Sequence, residues 1–261
     1  MGVTCPQQLV TADTAFLMQG GISKNLNIPR DIHVSSFQKP TVGITLHRWR
    51  YPGNDRKVKQ QEYINTLAAF CDIIVQRHDV KISFIPMNYT GSFFDERPMA
   101  SSIISKMVHS KRAEVLIGEP SPMEIMQTIE NLECIVGTRF HSVIFGMLTG
   151  VPPLAISYEH KAVGIMAMMG LTNYTCAIET LSTFEMASKY FKIMENAKSI
   201  SEVIRSRLPT IKQLAHLNIV LIRALSTADD DKANGRLPLA LVFKQAAKES
   251  ERLLKNLDIP S

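Results

Sequence analysis

Gly137–Lys161, GTRFHSVIFGMLTGVPPLAISYEHK, decides the fold of this chain. Phe140, Val143, Ile144, Met147 and Leu148 repeat at the three- and four-residue spacing of one helix face, and Gly150 and Pro152 stop that helix. Leu154-Ala155-Ile156 is a short solid apolar run, the mark of a buried strand; the chain then turns polar at Tyr158, Glu159, His160 and Lys161. A helix feeding a buried strand is the repeating unit of a parallel sheet. Its polar residues fall at the two places where such a unit meets a ligand. Thr138, Arg139 and His141 sit at the helix start, and residues 158–161 at the carboxyl end of the strand.

The same alternation extends to both sides. Val42 to Leu46, Ile82 to Ile85, Val115 to Ile117 and Cys134 to Val136 read as earlier strands, with Cys176 to Ile178 as an edge strand beyond. Helices are predicted over 57–78, from Asp95, from Ser121 and from Lys161 to Met169. Ser121, Pro122 and Glu124 together spell a capping box with proline at the first helical position. After residue 183 helices dominate, over 184–195 and 197–226, with a kink or break expected at Pro209. The fold class is therefore α/β: a Rossmann-like parallel sheet with helices on both faces, followed by C-terminal helices. Residues 1–40 have little period and read as a linker or the remnant of a missing N-terminal domain. Residues 41–227 form one Rossmann-like, ligand-binding domain with trailing helices. Residues 228–261 hold a polar break at Asp229-Asp230-Asp231 and Asn234-Gly235, then an amphipathic helix over 238–256 that packs on the domain or on a partner.

Composition narrows the function. The 261 residues are 45% hydrophobic and carry a net charge of +5, a balance suited to small anions. The basic residues are scattered and not interleaved with aromatics, which argues against nucleic acid as a partner. Cys5, Cys71, Cys134 and Cys176 are far apart with no CxxC pair, so neither a zinc site nor a disulfide framework is expected and a reducing compartment fits. No run reaches membrane-spanning length and the start lacks a signal-peptide pattern, so the expected location is cytoplasmic. P-loop, GxGxxG, GxSxG and HExxH motifs are all absent, and no metal is expected.

Ligands of an open parallel sheet bind outside the carboxyl ends of its strands. This chain places there His47, Arg48 and Arg50 after the first strand, Asn88 and Tyr89 after the second, and Glu119 after the third. Thr138, Arg139 and His141 follow the fourth, and Tyr158 to Lys161 the fifth. Arginines, histidines and a lysine on one rim describe a site for a compact anion with more than one negative group. The positive end of a helix dipole adds about 0.3–1 kcal/mol for an anion there. Arg139 can grip a carboxylate or phosphate with two prongs, and His141 can move a proton near neutral pH. The bland alternative pairs Arg139 with an acidic neighbour and His141 with a loop carbonyl. Asp95-Glu96-Arg97 can orient an acceptor or bind a metal, although acidic residues are common at helix starts for reasons of charge alone.

Four phrases in order, Val42–Trp49 (VGITLHRW), Phe84–Met87 (FIPM) with Asp95 after it, Gly137–Ser142 (GTRFHS) and Gly150–Lys161 (GVPPLAISYEHK), resemble the polysaccharide pyruvyl transferase family, including the colanic-acid type. Ala12–Leu17 (ADTAFL) resembles that family's link between domains. The resemblance implies one half of a glycosyltransferase-B-like architecture. It also implies transfer of a 1-carboxyvinyl unit from phosphoenolpyruvate to two hydroxyls of a sugar, on a polysaccharide or a lipid-linked oligosaccharide, giving a pyruvate ketal. His141 and Arg139 take the implied catalytic roles, with His141 as general acid. Arg139, Lys161, His47, Arg48, Thr138, Tyr158 and Glu119 form the implied substrate-binding set. Many relatives carry Arg at the position of His47, and Arg48, one residue on, would face the other way along a strand. The family's N-terminal half has no counterpart in the chain, so a separate N-terminal half or second subunit is an expected partner, and donor binding is expected before turnover. Two rival readings are a nucleotide-sugar glycosyltransferase or epimerase of similar fold, and an inactive half domain that only binds a ligand or partner.

Overall fold

The computed structural model describes residues 9–18, 39–48, 55–89, 91, 94–226 and 239–259. Six strands form one sheet: β1 (Thr41–Thr45), β2 (Lys81–Phe84), β3 (Ala113–Val115), β4 (Cys134–Gly137), β5 (Pro153–Ser157) and β6 (Thr175–Ala177). They lie in the order β3-β2-β1-β4-β5-β6, and every pairing is parallel. The helices are α1 (Arg56–His78), α2 (Arg97–Ile104), α3 (Pro122–Glu130), α4 (Phe140–Thr149), α5 (His160–Met168), α6 (Thr183–Glu195), α7 (Ala197–Ser226) and α8 (Leu239–Lys255). This is the α/β sheet and helical C-terminal region that the alternating pattern predicts.

β1, β4 and β5 are buried at every position, which is why they read as solid apolar runs and not as alternating ones. The strand order reverses between β1 and β4, so their carboxyl ends open the crevice where sheets of this kind take ligands. Gly137, the last residue of β4, allows α4 to start against the strand: a Cβ there would stand 2.6 Å from Val143 Cγ2 and 2.8 Å from Ser142 Oγ. At the other end Gly150 takes φ 79°, and its N–H bonds the Met147 carbonyl to close the helix. The capping box of α3 is complete, with Ser121 accepting from the Glu124 amide and Glu124 accepting from the Ser121 amide.

Two elements differ from the sequence reading. β3 covers residues 113–115 instead of 115–117, and Ile117 is 70% exposed. β3 is the edge strand on its side and only half-buried, so its partner β2 selects the paired residues and the apolar run does not. Pro209 does not break its helix: α7 runs continuously over Ala197–Ser226. Ile200, Ile204, Ile211 and Leu214 are buried along one face on both sides of the proline. That packing outweighs the backbone bond the proline removes.

Of residues 1–40, the described stretch 9–18 is tied to the core. Its 3-10 turn, Thr14–Leu17, is capped by Asp13 accepting from the Ala15 amide, and Phe16 is fully buried. Asn218 on α7 donates to the Ala12 carbonyl at 2.8 Å, and Ser250 on α8 donates to the Val10 carbonyl at 2.6 Å. α8 itself packs on the domain, burying Ala246, Leu253 and Leu254 in the same core. Cys71, Cys134 and Cys176 are free and buried. Cys5, Arg50 and the polar break at 229–235 lie outside the described residues. Among the described residues no helix is long and apolar enough to cross a membrane.

Because Phe16 is fully buried, Phe16→Ala should destabilise the fold by about 3–5 kcal/mol. Urea unfolding of the two proteins measures this directly, and an unchanged midpoint would show that the stretch ahead of β1 is not part of the cooperative unit.

Candidate functional site

The crevice between the ends of β1 and β4 is closed by one ion pair. Arg139 is the N-cap residue of α4, with extended backbone and no side-chain cap of its own. Its amide donates to Thr45 Oγ1 at 3.3 Å and its Nε to the Leu46 carbonyl at 3.2 Å, fastening the start of α4 to the end of β1. The guanidinium also holds Glu96: Nε stands 2.5 Å from Oε1, and Nη2 pairs with the same oxygen. Glu96 is only 1% exposed. Its second oxygen accepts from the Met87 amide at 2.8 Å, just past β2, and its own amide donates to the Asn88 carbonyl. Burial raises the Glu96 carboxyl above the usual carboxylate range, while the Arg139 charge and the Met87 amide pull it back.

Sequence reasoning assigned Glu96 to the generic acidity of a helix start. It is instead the counter-ion of the central arginine. Its neighbours in the triplet pair with each other: Arg97 Nη2 stands 2.6 Å from Asp95 and donates to the Tyr89 carbonyl. These contacts fasten the cluster to the rim.

His47 lies beside Arg139 and stacks on Tyr158, ring centroids 4.4 Å apart. Burial, helped by the Arg139 charge, lowers its pKa to about 4. This corrects one expectation: His47 is neutral at physiological pH and adds no positive charge to the rim. β1 has already ended at Thr45, so strand alternation does not decide which way His47 and Arg48 face. Thr138 is a second correction. It is 2% exposed and its hydroxyl meets Tyr63 Oη at 2.9 Å, so its side chain braces α1 against the strand end instead of lining the open rim. Tyr158 is half-buried, with its hydroxyl pKa raised mainly by burial. Arg48 is half-buried, and Glu119 is exposed in the loop after β3, where its charge acts on Arg97.

His141 and Lys161 have other surroundings. His141, in the first turn of α4, is exposed, and its Nε2 stands 4.0 Å from Asp13 Oδ1. Asp13 and Lys161 both line a cleft of about 440 Å³ that Phe140, Ile165 and Asn218 also wall. Asp13 stands near His141 and lines the cleft together with Lys161, while Arg139, two residues from His141, is turned to Glu96 with 21% of its side chain still exposed. Sequence reasoning missed Asp13 as a site residue. The signal available was its place at the head of the Ala12–Leu17 phrase, next to a 3-10 turn it caps.

Fold and rim together define a Rossmann-like half of a glycosyltransferase-B-like architecture whose strand ends gather cations. The chain belongs to the polysaccharide pyruvyl transferase family, whose model matches residues 1–160. It is 24% identical over 208 residues to the amylovoran biosynthesis protein AmsJ of Erwinia amylovora, covering 78% of this chain and 49% of that protein. The chain therefore spans about half the length of the curated relative it matches. Among solved structures it is similar to the S. aureus MnaA–UDP co-structure, with a TM-score of 0.55, 17% identity and coverage of 84% of this chain and 55% of that one. It is also similar to a Listeria monocytogenes protein described as a UDP-N-acetylglucosamine 2-epimerase, with a TM-score of 0.54, 14% identity and coverage of 83% and 53%. At these identities the likeness is one of fold.

His47 gives a pH prediction. Its folded pKa of about 4 lies below the ordinary 6.5, so between those values the unfolded chain binds the extra proton. Its contribution to stability is therefore complete above about pH 6.5 and is lost as pH falls toward 4. His47→Phe keeps the ring stack and removes the proton site. Thermal melts across this window should show a smaller acid-induced drop in Tm for the variant than for the wild type. Equal drops would mean that the ring is not held neutral.

Proposed function

We propose that this chain carries the donor side of a polysaccharide pyruvyl transferase site, binding phosphoenolpyruvate and passing its 1-carboxyvinyl carbon skeleton to a sugar as a pyruvate ketal. The observation that carries this reading is the start of α4 in the β1/β4 crevice. A cation occupies the N-cap position, where the helix dipole disfavours positive charge and where Asp, Asn, Ser or Thr is the usual residue. Lys161 repeats the arrangement in the first turn of α5. Glu96 answers part of the Arg139 charge, and the exposed remainder of the guanidinium together with Lys161 suits an anionic ligand with two charged groups. Phosphoenolpyruvate, with a phosphate and a carboxylate, is such a ligand.

In this reading Arg139 and Lys161 hold the two anionic groups. A guanidinium carries five N–H donors, more than the Glu96 pair consumes. His141 is the general acid, with the Asp13 carboxylate 4.0 Å from its Nε2. As one sugar hydroxyl adds to C2 and loses its proton, His141 protonates the C3 methylene, which becomes the methyl group. The second hydroxyl then displaces phosphate at C2, and the ketal closes with one phosphate released. The activity belongs to the whole protein, with the opposite wall of the cleft and the reacting sugar supplied by an N-terminal half or a second chain. The acceptor is a polysaccharide or its lipid-linked precursor.

Isothermal titration of the chain with phosphoenolpyruvate should give a saturable heat at millimolar concentrations. Arg139→Lys keeps a charge for Glu96 but loses the fork, and should weaken donor binding by roughly tenfold with little change in Tm. His141→Ala should retain donor binding and, in the presence of the N-terminal half, lower turnover by about 10²-fold or more. No saturable heat, or near-normal turnover by His141→Ala, would overturn the assignment.

A further inference from the structure

Beyond β6 the surface holds two hollows, one reaching the rim and the other lying away from it. The first, about 580 Å³, starts at Tyr158 and His160 on the rim and runs past Thr175 and Ala177 to Thr172. The second, about 630 Å³, also has Thr172 in its wall and continues past Asn173 and Tyr174 to Phe184, Ser188, Lys192 and Asn196 on and beyond α6. The two therefore adjoin at Thr172 and make one track along the outer side of the edge strand. It begins beside the ring stacked on His47 and ends at a phenylalanine that is 84% exposed.

We infer that this track holds the chain of an oligosaccharide acceptor on the side away from its reacting sugar, an inference that rests on the proposed transfer reaction. Its lining pairs the exposed ring of Phe184 and the half-buried Tyr174 with amides and a hydroxyl at Asn173, Asn196 and Ser188. A sugar presents the same two surfaces, an apolar C–H face and a rim of hydroxyls. Each hollow has the size of a small-ligand pocket, and the two in series suit a linear chain. Other occupants fit less well. A compact anion would meet a lining of mixed sign, because Glu185 shares the second hollow with Lys189 and Lys192, and the Lys189 ammonium is held by the Glu185 carboxylate at 2.6 Å and by the Thr175 carbonyl. An added peptide strand would need a longer edge than the three residues of β6, and Lys189 occupies one of its carbonyls.

The test is titration of the full chain with neutral gluco- and galacto-oligosaccharides of increasing length, followed by ligand-observed NMR. Affinity should rise with length beyond the monosaccharide. Phe184→Ala, at an exposed position that leaves the core intact, should weaken the longer ligands by roughly tenfold. Asn196→Ala should weaken them by a smaller factor, and both variants should bind phosphoenolpyruvate as the wild type does. Length-independent binding, no binding, or an unchanged affinity in Phe184→Ala would overturn the track. So would Phe184-dependent binding of an extended peptide in place of the glycans. Length-dependent glycan binding with no phosphoenolpyruvate heat would leave the track standing and refute the donor reading instead, so the two failures are distinguishable.

Discussion

The buried pair between Glu96 and Arg139 is the interaction on which the geometry of the rim depends. Glu96 is 1% exposed, so its charge is stable only because it accepts from the Met87 amide and the Arg139 guanidinium. Arg139 in turn reaches Leu46 and Thr45 at the end of β1. One pair therefore ties together the end of β2, the start of α2, the end of β1 and the start of α4. Removing one partner of such a pair costs about 3–5 kcal/mol, because it leaves the other charge buried alone. The same pair fixes the orientation of a planar donor group, and orientation is what distinguishes arginine from lysine as a ligand for carboxylate or phosphate.

This arrangement makes the rim less positive than a count of basic residues implies. Glu96 offsets part of the Arg139 charge, His47 is neutral with a pKa near 4, and Asp13 sits by His141. Among the described residues, what remains is an arc of directed donors that includes the exposed part of Arg139, Arg48, the helix starts of α4 and α5, and Lys161. A rim of this kind selects by geometry more than by bulk attraction, in keeping with a chain whose net charge is only +5.

The parts of this structure legible in the sequence are those set by near neighbours. The capping box of Ser121 and Glu124 spans three residues, and α1, α3 and α4 follow apolar periods that any window detects. β1, β4 and β5 were readable because burial on both faces makes them solidly apolar. β3 was displaced by two residues because an edge strand is chosen by its partner. The position of β1 and β4 at the point of strand reversal is a property of the whole sheet and has no local signature. The same holds for the counter-ions. Glu96 and Arg139 are 43 residues apart, so the sequence shows an acid at a helix start and a base at another, and not their contact. For the same reason it shows a basic His47 and not the burial that neutralises it.

Asp13 extends this logic to the far end of the chain. Its position is set by the backbone on either side of it, and that backbone is held by Asn218 through the Ala12 carbonyl and by Ser250 through the Val10 carbonyl. Phe16, three residues on, is buried in the shared core. One wall of the Lys161 cleft is thus held by α7 and α8 through the backbone around Asp13, while the other is built on the sheet through α4 and α5. The two C-terminal helices lie outside the alternating α/β pattern, but they determine where a carboxylate stands relative to His141. Their packing is consequently part of the site, because a shift of α8 that carried Val10 with it would change the distance between Asp13 and the imidazole without touching either side chain.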